Sequence, residues 1–279
     1  MIGKMNIRKH KGFFYNGSEV LEVEDSIIAE VALKISVNSV PFTVTMQTPG
    51  NERDLVRGIL FTEKIYQNSL PIGMEIKARD NSGTITSVNA VVPSHLVLKD
   101  FAGSRNVISS SSCGLCGKTE LDDLGGRNIQ VSKKFDISLL EKMFDEVYEN
   151  QKIFKASGGS HAAAAFTIDG KLLKVQEDIG RHNAVDKVLG HLIQYDLMGE
   201  VACLTVSGRV SYEIISKAKE AGIAFLASVS SPSSLAITAA VEAGITLMGF
   251  CRKNKLTIYT NPDQVIHNSL LWISDQAKN

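Results

Sequence analysis

The sequence predicts an α/β protein whose N-terminal part is α+β. In the last third of the chain, strand-like apolar runs alternate with helical segments of about ten residues, a pattern typical of βαβ units around a mostly parallel sheet. Nearer the N-terminus, two β-rich runs precede an amphipathic segment, which indicates a hairpin followed by a helix. With 279 residues, 44% of them hydrophobic, the chain can bury a sizeable core.

The N-terminal elements follow from local patterns. Residues up to about Ser26 show no clear period, and we expect an extended lead-in there. The runs 31–37 and 42–46 flank a turn and predict a β-hairpin. The segment 48–51 ends the second strand, and apolar residues at helical spacing after Glu52 predict a helix.

The composition changes again in the second half. A helix with an apolar stripe is predicted around Leu140, and small residues dominate from Lys155. The remaining predicted elements are strands at 201–206, 223–229, 245–250 and 256–259 and helices at 212–221 and 233–243. We place a domain boundary near Gly126, which gives a smaller N-terminal α+β domain at 1–126 and an α/β domain at 127–279.

Charge and hydropathy exclude several classes of protein. Thirty basic residues balance thirty acidic ones, so the chain is not a polycation suited to non-specific binding of nucleic acid. No apolar run is long enough to span a membrane and no signal core opens the chain, so we expect a cytoplasmic protein. Four cysteines suit a reducing compartment, with Cys203 as a small buried hydrophobe.

A pair of thiols is the most distinctive local feature. Cys113 and Cys116 lie three positions apart, between four serines and several glycines, in a segment typical of an exposed loop. A single Cys-x-x-Cys motif is compatible with dithiol redox chemistry, with half of a zinc site, or with a cysteine that carries sulfur. The domain 1–126 ends in this loop.

The metal and redox alternatives find little further support. A zinc deaminase needs His-x-Glu ahead of its paired cysteines, whereas His161 follows the pair and lacks that glutamate. A structural zinc site would need a second paired motif. A thioredoxin-like cysteine normally opens a helix after a strand, and the flanks of Cys113 are looser than that. We therefore expect no bound metal.

Two strand-to-helix junctions are rich in small polar residues. Ser207-Gly208-Arg209 follows one predicted strand and 230–234 follows the next. Ligands of open α/β sheets bind at the carboxyl ends of the strands, and guanidinium suits phosphate. Ordinary helix caps would explain the serines equally well, but Arg209 favours an anion at the first junction.

The segment Phe250-Cys251-Arg252-Lys253-Asn254-Lys255 joins two predicted strands and carries three cations. A solvated basic turn would explain it, and so would neutralisation of a phosphate at the same sheet edge. Arg181 and His182 belong to a polar cluster ahead of an apolar stripe, which we interpret as a site lining. His161, among small residues, is either a core histidine or a catalytic one.

Five motifs in order resemble the FdhD family, the accessory sulfurtransferases of formate dehydrogenase. They are Cys113-Gly114-Leu115-Cys116-Gly117-Lys118, Gly158-Gly159-Ser160-His161, Glu177-Asp178-Ile179-Gly180-Arg181-His182-Asn183, Ser207-Gly208-Arg209-Val210-Ser211-Tyr212-Glu213 and Gly249-Phe250-Cys251-Arg252. The resemblance extends from about Glu30 to Tyr259.

The resemblance implies a fold related to cytidine deaminases without their zinc, and a homodimer. It implies that Cys113 takes sulfur as a persulfide from a cysteine desulfurase, with Cys116 as an auxiliary thiol. The acceptor would be a molybdenum bis(molybdopterin guanine dinucleotide) cofactor destined for formate dehydrogenase, held by residues 250–255, with Ser207, Arg209, His161, Arg181 and His182 as further cofactor contacts.

Two functional alternatives stay open: a chaperone for the cofactor with merely structural cysteines, and a dithiol oxidoreductase. The chain also departs from the family at two turns. Ser39 and Lys64 stand where the family usually has glycine, which puts local turn geometry in doubt rather than function.

Overall fold

The computed structural model describes residues 6–98 and 129–267. The N-terminal half contains β1 (Ile7–Tyr15), β2 (Val20–Ile28), β3 (Val31–Val37), β4 (Val40–Gln47), α1 (Glu52–Thr62), β5 (Gly73–Arg79) and β6 (Ile85–Val91). The C-terminal half contains β7 (Phe135–Asp136), α2 (Leu140–Asn150), α3 (Lys152–Ser157), β8 (His161–Phe166), β9 (Leu172–Asp178), α4 (Arg181–Gln194), β10 (Cys203–Val206), α5 (Tyr212–Glu220), β11 (Phe225–Ser228), α6 (Ser234–Ala243), β12 (Thr246–Arg252), β13 (Lys255–Ile258) and β14 (Val265–Ile266). No helix in these ranges is both long and apolar enough to cross a membrane.

The N-terminal half is built on a four-stranded sheet of order β4-β3-β6-β5. The predicted hairpin of β3 and β4 and the helix that starts at Glu52 are confirmed. Leu33, Ile35 and Val37 alternate along β3 into a core that α1 covers, because successive strand residues point to opposite faces. This half is therefore α+β, as the sequence predicts.

The two turns at which the chain departs from the family it resembles have left-handed backbones. Ser39 has φ 69° and Lys64 has φ 59°, a region that favours glycine because other L residues are strained there. The usual glycine thus has a conformational reason at both positions. Ser39 and Lys64 therefore hold these turns at a cost in backbone strain.

The expected extended lead-in is instead an antiparallel hairpin of β1 and β2. Its turn is closed by Asn16, whose side chain accepts from the N–H groups of Ser18 and Glu19, each at 3.0 Å. Lys11 pairs with Glu22 across the strands at 3.1 Å. Most of its residues are exposed, so it lacks the apolar alternation by which a half-buried strand is recognised in sequence.

The C-terminal half contains a six-stranded sheet of order β13-β12-β11-β10-β8-β9. The prediction of a mostly parallel sheet is wrong, because only the β10–β11 and β11–β12 pairings are parallel and the other three are antiparallel. The alternating strands and helices of the last third are present and supply the parallel strands. The antiparallel ones come from β13, which returns through a tight turn, and from the hairpin of β8 and β9.

Helices cover both faces of this sheet. The apolar stripe of α4 packs on one face with α5 and α6, through residues that include Val185, Val188 and Leu189. On the other face α2 contributes Leu140 and Met143 to a second core. Together the two halves form a mixed α/β protein with several sheets.

The halves meet where α1 crosses α4. A methyl group on Gly58 of α1 would lie 1.9 Å from the carbonyl oxygen of Asp186, and one on Gly190 of α4 would lie 1.8 Å from that of Asp54. Each glycine therefore receives the backbone of the opposite helix. Nearby, Lys217 of α5 donates to Asp186 at 2.7 Å, so α1, α4 and α5 are joined at one point.

We expect Gly58→Ala and Gly190→Ala each to lower the free energy of unfolding by about 3 kcal/mol or more, because the added methyl overlaps main-chain atoms that no rotamer change can move. Urea unfolding followed by circular dichroism measures the loss. Gly199→Ala is the matched control, since a side chain there meets open space. Equal stability of all three variants would contradict this description of the interface.

Candidate functional site

The segments at the ends of β10 and β11 are connected by hydrogen bonds. Ser207 exchanges bonds with Ala162 of β8, donating its N–H to the carbonyl oxygen at 2.9 Å and accepting the N–H on its hydroxyl at 2.8 Å. The Ser228 hydroxyl donates to the carbonyl oxygen of Gly208 at 2.8 Å. Ser207, a predicted cofactor contact, is thus hydrogen-bonded to β8. These hydrogen bonds fix the backbone beside Arg209.

Gly208 brings His161 and Arg181 together. Because β8 runs antiparallel to β10, its first residue, His161, lies at the carboxyl end of β10. A methyl group on Gly208 would lie 3.2 Å from Nδ1 of His161 and 3.4 Å from Cδ of Arg181. These two side chains therefore flank the same bare stretch of backbone. We call His161, Arg181, Gly208 and Arg209 the cationic edge.

Electrostatics at the cationic edge keep His161 uncharged. Burial lowers the pKa of His161, and the charges of Arg181 and Arg209 lower it further, whereas Asp178 acts in the opposite direction. Since its pKa falls below the usual 6.5, the imidazole is neutral at pH 7. Positive charge at the edge therefore resides on the two arginines.

Arg181 carries an unsatisfied donor. Its Nε is buried, and no acceptor for it exists among residues 6–98 and 129–267. A buried donor without a partner costs about 1–3 kcal/mol. An anion bound at the edge would supply the acceptor that this guanidinium lacks.

His182 lies beside the edge, between the first turns of α4 and α5. Its Nε2 is 3.1 Å from the Ser211 hydroxyl and 3.9 Å from Oε2 of Glu213. Both partners approach the same ring nitrogen, so the set differs from a catalytic triad, in which serine and acid bind opposite nitrogens. The contacts fix the orientation of the ring.

Phe250 reaches the same edge by an unusual backbone. It has φ 55°, its N–H donates to the carbonyl oxygen of Ser230 at 3.2 Å, and its side chain is 48% exposed. A non-glycine residue held in this region is strained, and such strain is concentrated at ligand clamps. The exposed ring offers a flat apolar surface next to the loop after β11.

Cys251 points to the opposite face of the sheet. It is buried in the core that α2 covers, and burial raises the pKa of its thiol to about 12. Arg252 donates from Nε to the carbonyl oxygen of Val229 at 2.9 Å. Lys253 and Asn254 form the two-residue turn of the β12–β13 hairpin, both with positive φ, as tight hairpins require.

A second concave region lies on that face. The hairpin and α2 enclose a cavity of about 1200 Å³. Its lining includes Cys251, Arg252, Lys253, Asn254, Lys255, Glu141, Phe144 and Asp145. The predicted cofactor residues therefore form two groups, the cationic edge with Phe250 and the lining of this cavity, and the loop after β11 contacts both. The α2 side of the cavity was missed, because its residues have an ordinary helical pattern.

The polar cluster ahead of α4 is also divided. Arg181 faces the edge and His182 contacts Ser211 beside it, whereas Asp178 and Asn183 bind the N-terminal half. The sequence did not reveal that the charge of Asp178 acts on His161. It also did not reveal that His161 and Arg181 meet at Gly208. Cys113 and Cys116 lie outside the described residues, and no cluster suited to a metal ion occurs among the residues that are described.

We expect Arg181→Met to raise the pKa of His161, because a like charge that disfavours the imidazolium is removed. Histidine NMR over a pH series measures it, with the signal assigned from its loss in His161→Gln. Arg79→Met, on the exposed strand β5, is the control and should leave this pKa unchanged. A fall in the pKa of His161 in Arg181→Met would contradict the proposed electrostatics.

Comparison with known proteins places the chain. The family model described as the FdhD/NarQ family matches residues 28–266. The sulfur carrier protein FdhD of Sulfolobus acidocaldarius is 40% identical over 265 residues, covering 94% of this chain and 99% of that protein. Its counterpart in Streptomyces coelicolor is 38% identical over 256 residues, covering 86% and 89%.

A solved structure shares the fold. A crystal structure described as a formate dehydrogenase accessory protein from Desulfotalea psychrophila superimposes with a TM-score of 0.75 at 20% identity, covering 94% of this chain and 100% of that one. The likeness extends over both halves of the chain. The family model and the sequence matches over most of its length establish that this chain belongs to the FdhD/NarQ family.

Proposed function

We propose that the chain is a sulfur carrier: Cys113 accepts sulfur as a persulfide from a cysteine desulfurase and passes it to a molybdenum bis(molybdopterin guanine dinucleotide) cofactor that formate dehydrogenase requires. The observation that carries this proposal is the similarity, over nearly the whole length, to proteins named sulfur carrier protein FdhD. The cofactor is treated as cargo rather than as a resident group.

The first chemical step needs only a thiolate. The Cys113 thiolate attacks the terminal sulfur of the donor's persulfide, a new S–S bond forms, and the donor cysteine leaves as its thiolate. Lys118 is close in sequence and favours the anionic form. Cys116 is assigned an auxiliary role in the same loop.

Cys203 and Cys251, the cysteines within the described residues, are unsuited to this chemistry. Burial raises the pKa of both Cys203 and Cys251, so neither is a thiolate near neutral pH. Both are also enclosed in the core beneath α2. Sulfur delivered to the chain would therefore meet a reactive thiol only in the Cys-x-x-Cys motif.

The cationic edge fits the phosphates of a dinucleotide. Arg209 is exposed, Arg181 holds an unsatisfied Nε, and Phe250 offers a ring on which a flat base can stack. The cations of the β12–β13 turn extend the positive charge toward the cavity beside α2. This combination supports cofactor binding and favours a sulfur carrier over a dithiol oxidoreductase, which would have no use for it.

Further parts of the proposal come from family membership. We infer a homodimer working in the cytoplasm, with the C-terminal half related to cytidine deaminases and without a resident metal. The domain limits 1–126 and 127–279 stay predictions.

Incubating the protein with a cysteine desulfurase and cysteine should add about 32 Da to the peptide that contains Cys113, the mass of one sulfur atom. Mass spectrometry of the alkylated digest measures it. The peptides of Cys203 and Cys251 are internal controls that should stay unmodified, because their thiols are buried and protonated.

Two variants separate the alternatives. The cofactor chaperone predicts full activation of formate dehydrogenase in cells by Cys113→Ala, whereas a dithiol oxidoreductase predicts equal losses for Cys113→Ala and Cys116→Ala. The sulfur carrier predicts the larger loss at Cys113. An unmodified Cys113 in the presence of active desulfurase would be evidence against sulfur carriage.

Guanosine diphosphate, as the nucleotide end of the cargo, should bind the protein, and Arg209→Met should weaken this binding about tenfold. The lost charge-assisted phosphate contact accounts for about 1.5 kcal/mol. Isothermal titration calorimetry at fixed ionic strength measures both affinities. Lys34→Met, an exposed change on β3, is the control. The same loss in both variants would reduce the role of Arg209 to general charge.

A further inference from the structure

We propose that Asp178 and Asn183 are positioning residues: they fasten the turn between β9 and α4 to the end of β4 and thereby hold Arg181 at the cationic edge. The inference rests on the proposed function, because Arg181 is one of the residues proposed to contact the cofactor. It makes the N-terminal half a part of the site, although none of the described side chains at the edge comes from that half.

Asp178 accepts hydrogen bonds from donors in both halves of the chain. Its Oδ2 accepts the N–H of Thr48 at 3.0 Å and Nζ of Lys187 at 2.7 Å, and its Oδ1 accepts the N–H of Gly180 at 2.8 Å. Both charged side chains are fully buried, at 0% and 1% exposure. A buried carboxylate satisfied in this way keeps its geometry, because any displacement leaves a charge without a partner.

Asn183 makes a second connection to the same strand. Its Nδ2 donates to the carbonyl oxygen of Met46 at 2.7 Å and to Oδ1 of Asp178 at 3.1 Å. Its Oδ1 accepts from the Thr45 hydroxyl at 3.3 Å. The side chain is 8% exposed, so these bonds are protected from water.

Thr48, at the end of β4, is the residue to which the turn between β9 and α4 is bonded. Beyond its N–H, its carbonyl oxygen accepts Nζ of Lys187 at 2.8 Å and its hydroxyl accepts the N–H of Ile179 at 3.0 Å. All three of its polar groups are thus bound by the β9–α4 region, and the residue is fully buried. One residue of the N-terminal half therefore fixes the turn from three directions.

Arg181 lies between the two connections. Asp178 anchors the turn three residues before it and Asn183 anchors α4 two residues after it. Between these points the backbone has little freedom, so Arg181 is directed at Gly208 with few alternatives. The polar residues ahead of the apolar stripe of α4 therefore have two roles. One set anchors the turn to the N-terminal half, and the other faces the cationic edge.

A purely stabilising role would use the same bonds, so the test compares two sites in the same interface. Asp54 of α1 also joins the two halves, accepting from Gln176 of β9 at 2.8 Å and from Gln194 of α4 at 2.7 Å. Gln194 is at the far end of α4, about 20 Å along the helix from Arg181. Loss of the Asp54 bonds should cost stability without moving Arg181.

Asn183→Leu is the test variant, because it removes the bonds without changing any charge near His161. If Arg181 moves away, its effect on the imidazole weakens, and the pKa of His161 measured by NMR should rise. Asp54→Asn should leave that pKa unchanged, even if urea unfolding shows an equal loss of stability. An unchanged pKa in Asn183→Leu, or an equal rise in Asp54→Asn, overturns the proposal.

Thr48→Val carries the same test if Asn183→Leu does not fold, since it removes only the acceptor for Ile179. The affinity for guanosine diphosphate is the second readout, with about a fivefold loss expected in Asn183→Leu and none in Asp54→Asn. If the wild-type protein binds no nucleotide, cofactor binding fails while the NMR shift still decides the positioning role.

Discussion

The contact of main chain on main chain where α1 crosses α4 is the constraint on which the rest of the structure depends. Gly58 and Gly190 let the helices approach until the carbonyl oxygens of Asp186 and Asp54 occupy the space of the missing side chains. At that separation the helices have little room to slide. Because α4 begins with Arg181, this contact holds the helix from which one residue of the candidate site projects.

Charge makes the candidate site suited to an anion. Two arginines lie beside a histidine that burial keeps neutral, so the edge is positive without a third competing cation. Asp178, the carboxylate that acts on His161, is already satisfied by Lys187 and by backbone donors, and it does not neutralise the guanidinium groups by direct pairing. Positive charge held in this way is available to a ligand rather than to the protein itself.

Much of the architecture can be read from the sequence where an element has a clear apolar pattern. The β3–β4 hairpin, α1 and the strands and helices after residue 201 are such cases. β8 is not, because four alanines give no strand signal, and its antiparallel pairing then makes the sheet mixed. Residue types also predicted an anion site, but not that Cys251 would face the other core or that the cluster around Arg181 would divide. Those outcomes depend on tertiary packing.

The crossing of α1 and α4 also bears on how such a chain can evolve. Domains joined by a flexible linker can be exchanged between proteins, because few contacts cross the boundary. Here the two halves share complementary backbone surfaces, and a half transplanted from another protein would need a glycine at the matching turn of its helix. Exchange of one half alone would therefore break the contact between them, even though each has its own sheet and its own core.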